Sequence, residues 1–216
     1  MTDLEKIADF ARNIHAQNND GHGIDHIERV VNLAKKILAT EVNANAELVL
    51  ISCYLHDTYD EKLTPDVAKQ KAIVRDFLLS FDFSDELFVN EIFYIIDHMS
   101  FSTNLNKKQF LSLEGQIVQD ADRLDAMGAW GIVRTLEYGW SHGRKLYQPD
   151  ILPQNYSSKA DYHAQTENTT INHFYEKLFL LEDLLNTTEA KRIGKERQLI
   201  MHKFVEAIEK EYIENK

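Results

Sequence analysis

The run Ile27-Glu28-Arg29-Val30-Val31-Asn32-Leu33-Ala34-Lys35-Lys36-Ile37-Leu38 carries the pattern that decides the fold. Ile27, Val30, Val31, Ala34, Ile37 and Leu38 recur at steps of three and four, while Arg29, Lys35 and Lys36 take remaining positions, as a helix with one buried face requires. Working outward, start signals mark further helices. Thr2-x-x-Glu5 reads as a capping box, Asn45 precedes an apolar run, Thr64-Pro65 sets a cap before a proline at the first helical position, and Ser84 precedes Asp85 and Glu86. These signals predict helices over 3–17, 25–40, 46–57, 65–80 and 85–98, a helical stretch from Leu113 to Tyr138, and two more helices over 166–186 and 188–213. Between them, 139–165 gathers Gly139, Gly143, Pro149, Pro153, Asn155, Ser157 and Ser158, together with aromatics and Arg144-Lys145, and reads as a functional loop.

Composition supports an all-α class. The 216 residues include only 8 Gly and 3 Pro, below the ordinary ~7% and ~5%, so an all-β reading lacks its turn signals. The single cysteine, Cys53, excludes an intramolecular disulfide and any thiolate-cluster metal site, and fits a reducing compartment. No apolar stretch approaches the ~18 residues a membrane span needs, so the expected location is cytoplasmic, with no membrane partner. Lys and Arg number 24 against 35 Asp and Glu, a formal charge of −11. Extended nucleic acid is therefore excluded as a partner, because its binding draws on Lys and Arg at phosphate. Phosphate chemistry at a small molecule would need positive charge from a metal ion.

No phosphate-binding G-x-x-x-x-G-K-[ST] loop and no H-E-x-x-H motif occurs. Chemistry must come from His and carboxylates: His26, the doublet His56-Asp57, and Asp122. His56 and Asp57 close an apolar helix, His26 lies near the start of its neighbour, and Asp122 belongs to a later helical stretch. Three helices of one bundle can therefore present four ligands to one point. Two imidazoles with two carboxylates suit Mn²⁺, Fe²⁺, Co²⁺ or Zn²⁺ better than Ca²⁺, which prefers oxygen alone. Asp125 shares a helix face with Asp122 and reads as a supporting group rather than a ligand. His173 and Lys177 likewise share a face. Trp130, Trp140, Phe174 and Tyr175 read as core residues rather than platforms for a base.

Taken together, Gly21-His22-Gly23-Ile24-Asp25-His26 with Arg29-Val30, then Cys53-Tyr54-Leu55-His56-Asp57, then Ala121-Asp122-Arg123-Leu124-Asp125-Ala126 resemble the HD-domain metal-dependent phosphohydrolases. Gly128-x-x-Gly131-Ile132-x-Arg134, Gly143-Arg144-Lys145-x-Tyr147-x-Pro149 and the stretch from Thr169 to Leu178 are similar to the bacterial subfamily linked to nucleoside triphosphate hydrolysis at the α-phosphorus. The resemblance implies an all-α HD-domain helical bundle with additional C-terminal helices, one domain over 1–216 with its metal-binding core at about 20–135. It implies His26, His56, Asp57 and Asp122 as ligands of one divalent transition metal, Mn²⁺ foremost, with Mg²⁺ or Mn²⁺ accompanying the substrate phosphates. Asp60 or Glu61 would orient or deprotonate water. His22, Arg123, Arg144, Lys145, His173 and Lys177 are the expected contacts to a small nucleotide, cleaved to monophosphate and pyrophosphate. A (p)ppGpp hydrolase and a 5′-deoxynucleotidase are the enzymatic alternatives, and a non-catalytic nucleotide-sensing helical module is the alternative of another class. Homo-oligomers are compatible with this reading.

Overall fold

Thr2 caps the first helix, α1 (Asp3–His15): its hydroxyl accepts from the Glu5 N–H while the Glu5 carboxylate accepts from the Thr2 N–H, which satisfies two orphan donors at once. The computed structural model describes residues 1–16, 23–61, 63–158, 160–161 and 168–214. Along it follow α2 (Ile24–Leu38), α3 (Ala46–Leu55), α4 (Val67–Leu79), α5 (Glu86–His98), α6 (Leu113–Asp125), α7 (Gly128–Ser141), a short α8 (Asn172–Glu176) and a long α9 (Thr188–Glu214). Among the described residues the fold is all-α, the only extended pairing being an isolated bridge between Lys145 and Thr169. No helix among them is long and apolar enough to cross a membrane.

Helix α3 is apolar around its circumference, and such a helix has to lie at the centre of a bundle. Its Leu48, Val49, Ile51, Cys53 and Leu55 are all buried, against α1, α2, α5 and α6. Helix α2 buries the predicted face, Ile27, Val30, Val31, Ala34 and Ile37, with Leu33 beside it. α6 lies along both, burying Ile117, Val118, Ala121 and Leu124. Packing thus brings together the start of α2, the end of α3 and the last turns of α6, which hold His26, His56-Asp57 and Asp122.

The structure corrects several boundaries. The fourth helix starts at Val67, because Asp66 accepts from the Lys69 N–H and makes the cap, while Thr64 only accepts from the Asp66 N–H. α3 stops at Leu55, so the doublet follows the helix directly. The stretch from Leu113 to Tyr138 is two helices, broken where Gly128 adopts φ 73°, a conformation that costs glycine little. At Gly131 a Cβ would lie 2.3 Å from the Ala126 carbonyl oxygen. Backbone on both sides leaves no room, so Gly131→Ala should cost about 1–3 kcal/mol, read as a lower denaturation midpoint at unchanged slope.

The predicted helix over 166–186 does not form among its described residues. The Thr170 and Ile171 N–H groups donate to the Lys145 and Leu146 carbonyls at 2.9 and 3.0 Å, so tertiary pairing takes the donors a helix would use. Only Asn172–Glu176 is helical, followed by 3₁₀ turns at Leu178–Leu180 and Glu182–Leu184. Nor are the aromatics all core. Phe174 is buried, but Tyr175 is 39% exposed, and Trp130 and Trp140 are 53% and 89% exposed, because the fully buried residues of α7 are Gly128, Gly131 and Gly139 and the two tryptophans project from the rest of its surface.

The C-terminal segment is tied to α6. The buried Asp120 carboxylate accepts from the backbone N–H and side chain of both Asn186 and Thr187, at 2.7–3.1 Å. Arg123 donates to the Leu184 carbonyl and Arg197 to the Leu124 carbonyl. α9 then packs on α6 and α7.

Candidate metal centre

His26 enters in the first turn of α2, anchored by its own N–H on the Gly23 carbonyl at 3.0 Å, and its ring is 1% exposed. His56 is the C-cap directly after α3, and its Nδ1 lies 2.8 Å from the Cys53 carbonyl oxygen. Their Nε2 atoms face each other at 3.2 Å. Asp57 Oδ2 is 3.6 Å from both Nε2 atoms, and Asp122 Oδ1 is 3.6 Å from His26 Nε2 and 3.8 Å from His56 Nε2. His26, His56 and Asp122 offer three ligand atoms within 4.8 Å of one another.

Hydrogen bonding fixes the imidazole tautomers. A carbonyl only accepts, so His56 Nδ1 carries the proton. His26 Nδ1 lies 2.7 Å from Asp125 Oδ2. Burial would raise the Asp125 carboxyl, but the hydrogen bonds from His26 and Arg29 hold it well below the usual carboxylate range. It is therefore ionised and accepts, and His26 Nδ1 is also a donor. With both rings neutral the two Nε2 lone pairs face one another across 3.2 Å, a repulsion that either a proton shared between them or a cation bound by both nitrogens relieves. An ion bonded at about 2.0–2.1 Å sets neighbouring ligand atoms about 3.0–3.4 Å apart, close to the separations seen. The donor set of two imidazoles and carboxylates therefore fits a divalent transition ion.

Charge tunes the two rings in opposite directions. Burial disfavours the cation in both; in His26 it prevails and lowers the ring's basicity despite Asp125. In His56 the Asp57 and Asp122 carboxylates prevail over burial and raise it. Behind His26, Asp125 is clasped by two guanidiniums: Arg29 through Nε at 2.7 Å and Nη2 at 3.2 Å, and Arg134 of α7 through Nη1 at 2.7 Å. Arg29 is itself held by Asp25 and lies 4.5 Å over the Trp130 ring.

The HD domain description matches residues 23–127. Over 212 residues the chain is 33% identical to the uncharacterized protein YpgQ of Bacillus subtilis (strain 168), an overlap covering 98% of this chain and 94% of that protein. This chain belongs to the HD superfamily. Its fold matches relatives over nearly their whole length. A crystal structure from Lactobacillus plantarum is 42% identical with a TM-score of 0.88, covering 97% of this chain and 96% of that one. An HD-superfamily hydrolase from Bacillus thuringiensis is 34% identical with a TM-score of 0.73, covering 97% and 96%. B. subtilis YpgQ in complex with ADP is 29% identical with a TM-score of 0.74, covering 96% and 97%. HD domains bind a divalent metal, and the protein is a metal-dependent hydrolase of this superfamily.

Around this HD centre the other predicted residues divide. Asp60 and Glu61 follow the doublet in a turn closed by the Asp60 N–H on the Asp57 carbonyl at 3.1 Å. That turn is pinned to α5 by Tyr59, whose phenol donates to Asp97 at 3.1 Å. Arg144 lies 5.2 Å over the Tyr138 ring, one helical turn beyond Arg134. The Lys145 ammonium donates to Gln148, and its carbonyl receives the Thr170 N–H. The bridge thus sets 145–146 beside 169–171, directly before His173 and Lys177, and the Lys177 ammonium lies 5.7 Å from the Phe101 ring. Arg123 is placed otherwise: its side chain is buried and spent on the Leu184 carbonyl, because α6 turns it toward the C-terminal segment while Asp122 faces the imidazoles. His22 lies outside the described residues. The clasp of Arg29 and Arg134 on Asp125 is what the sequence reading missed; the three-residue step from His26 to Arg29 was its one local signal.

Proposed function

We propose that the protein hydrolyses a nucleoside triphosphate at the α-phosphorus, releasing a monophosphate and pyrophosphate, in a metal-dependent reaction. The observation that carries this reading is the pair of facing Nε2 atoms converging with Asp57 and Asp122. His26, His56, Asp57 and Asp122 would hold the ion. A divalent ion held there, Mn²⁺ foremost, would supply Lewis acidity, lowering the pKa of water from ~15.7 toward ~7–9 and polarising a phosphoryl oxygen. Asp60 or Glu61 orients the attacking water. Arg144, Lys145, His173 and Lys177 take the phosphate chain and neutralise charge on departing pyrophosphate, where electrostatic stabilisation contributes most. Arg123 is left out because burial commits it to Leu184. ADP bound to the relative YpgQ supports a nucleotide as the ligand class.

The test is product identification by phosphorus NMR, with Mn²⁺ and a panel of ribo- and deoxyribonucleotides. The expected result is pyrophosphate and monophosphate from triphosphates. Orthophosphate released from deoxymonophosphates would make the protein a 5′-deoxynucleotidase, pyrophosphate from (p)ppGpp alone a (p)ppGpp hydrolase, and binding without turnover across several metals a sensor.

A further inference from the structure

A half-open cavity of about 310 Å³ lies between the segment preceding α6, α6 itself and the junction before α9, and shares no described residue with the metal cluster. Its walls include Lys108, Gln109, Phe110, Gln116, Gln119 and Asn186. Among the described residues no carboxylate lines it, although the chain has 35 acids against 24 basic residues. Among the described residues, the Lys108 ammonium meets only the neutral Asn186 carbonyl oxygen, at 3.1 Å, and forms no ion pair with a carboxylate. The Gln109 and Gln116 amides each donate to a backbone carbonyl, of Lys107 and Leu111, which leaves both amide oxygens able to accept. Phe110 stands at the rim, 82% exposed. Gln119, 2% exposed, is fixed on the Met99 carbonyl and on Asn186 and forms a rigid floor.

A cation without a carboxylate partner, two amide oxygens and an exposed ring together select a ligand with an anionic group, hydrogen-bond donors and a flat apolar face. The volume sits at the lower end of small-molecule pockets, ~300–1,000 Å³, too small for a triphosphate with its ion. We propose that this cavity is a second binding site that takes a nucleoside monophosphate, with the phosphate on Lys108, the base amino or imino N–H groups on Gln109 and Gln116, and the base against Phe110. The assignment of this ligand as the product rests on the reaction proposed above. Occupancy would pull Lys108 from Asn186, whose N–H and amide are bonded to Asp120 of α6, the helix that also carries Asp122.

The experiment is titration calorimetry of the full chain in excess EDTA, which disables the metal centre, using nucleoside monophosphates, the matching nucleosides and orthophosphate. Monophosphate binding should survive EDTA and exceed that of nucleoside or orthophosphate. Lys108→Ala, at an exposed site, should weaken it about tenfold or more with hydrolysis of substrate unchanged, and Asp57→Ala should leave it intact. Loss of all binding in EDTA, equal binding of orthophosphate, or an unaffected Lys108→Ala would overturn the proposal. Pyrophosphate release without EDTA-resistant binding defeats this inference alone; EDTA-resistant binding without pyrophosphate release defeats the proposed reaction alone.

Discussion

Asp57→Ala abolishes turnover: pyrophosphate release in Mn²⁺ falls at least about 10³-fold, since the ion's contribution of several kcal/mol to the transition state is lost with its ligand. Asp57 Oδ2 stands 3.6 Å from both facing imidazole nitrogens, so its removal leaves two lone pairs opposed with less negative charge to draw a cation between them. Because the doublet lies beyond the end of α3 and Asp57 is 13% exposed, the variant should fold, and an unchanged far-ultraviolet spectrum would show it. Equal rates in the two proteins would remove Asp57 from the centre.

Asp125→Asn weakens the metal without touching a ligand. Its carboxylate fixes the His26 tautomer and receives three further hydrogen bonds, from Arg29 and Arg134. An amide of the same shape keeps one acceptor oxygen but turns an NH₂ toward donors. The expected loss in metal affinity is about 10–100-fold, measured by calorimetric titration with Mn²⁺, and raised Mn²⁺ should restore much of the turnover. A merely structural role for Asp125 would lower the melting temperature without this metal rescue.

The residues that converge at the proposed metal centre were readable because each belongs to a local pattern that helical geometry converts into a direction. His26 opens an amphipathic helix, His56-Asp57 ends an apolar one, and Asp122 and Asp125 share a face. The capping box at Thr2 and the cap at Asn45 were legible for the same reason, since each joins residues two or three apart. What failed depends on distant partners. Arg29 and Asp125 are 96 positions apart, and no periodicity announces their pairing. The stretch 166–186 retained apolar residues at helical steps, yet Lys145 and Leu146 claimed its backbone donors. Arg123 sits beside a ligand in sequence, but a helix sends neighbours in different directions, and Leu184 claimed its charge. Trp130 and Trp140 looked like core until glycines formed the buried side of α7.

The acidic balance ties these results together. A charge of −11 opposes a polyphosphate unless cations intervene, so catalysis should require the ion held by His26, His56, Asp57 and Asp122. The direct measurement is pyrophosphate release from a nucleoside triphosphate before and after EDTA, followed by Mn²⁺ in excess. This account predicts that release stops on chelation and returns with Mn²⁺; release that continues in EDTA would contradict it.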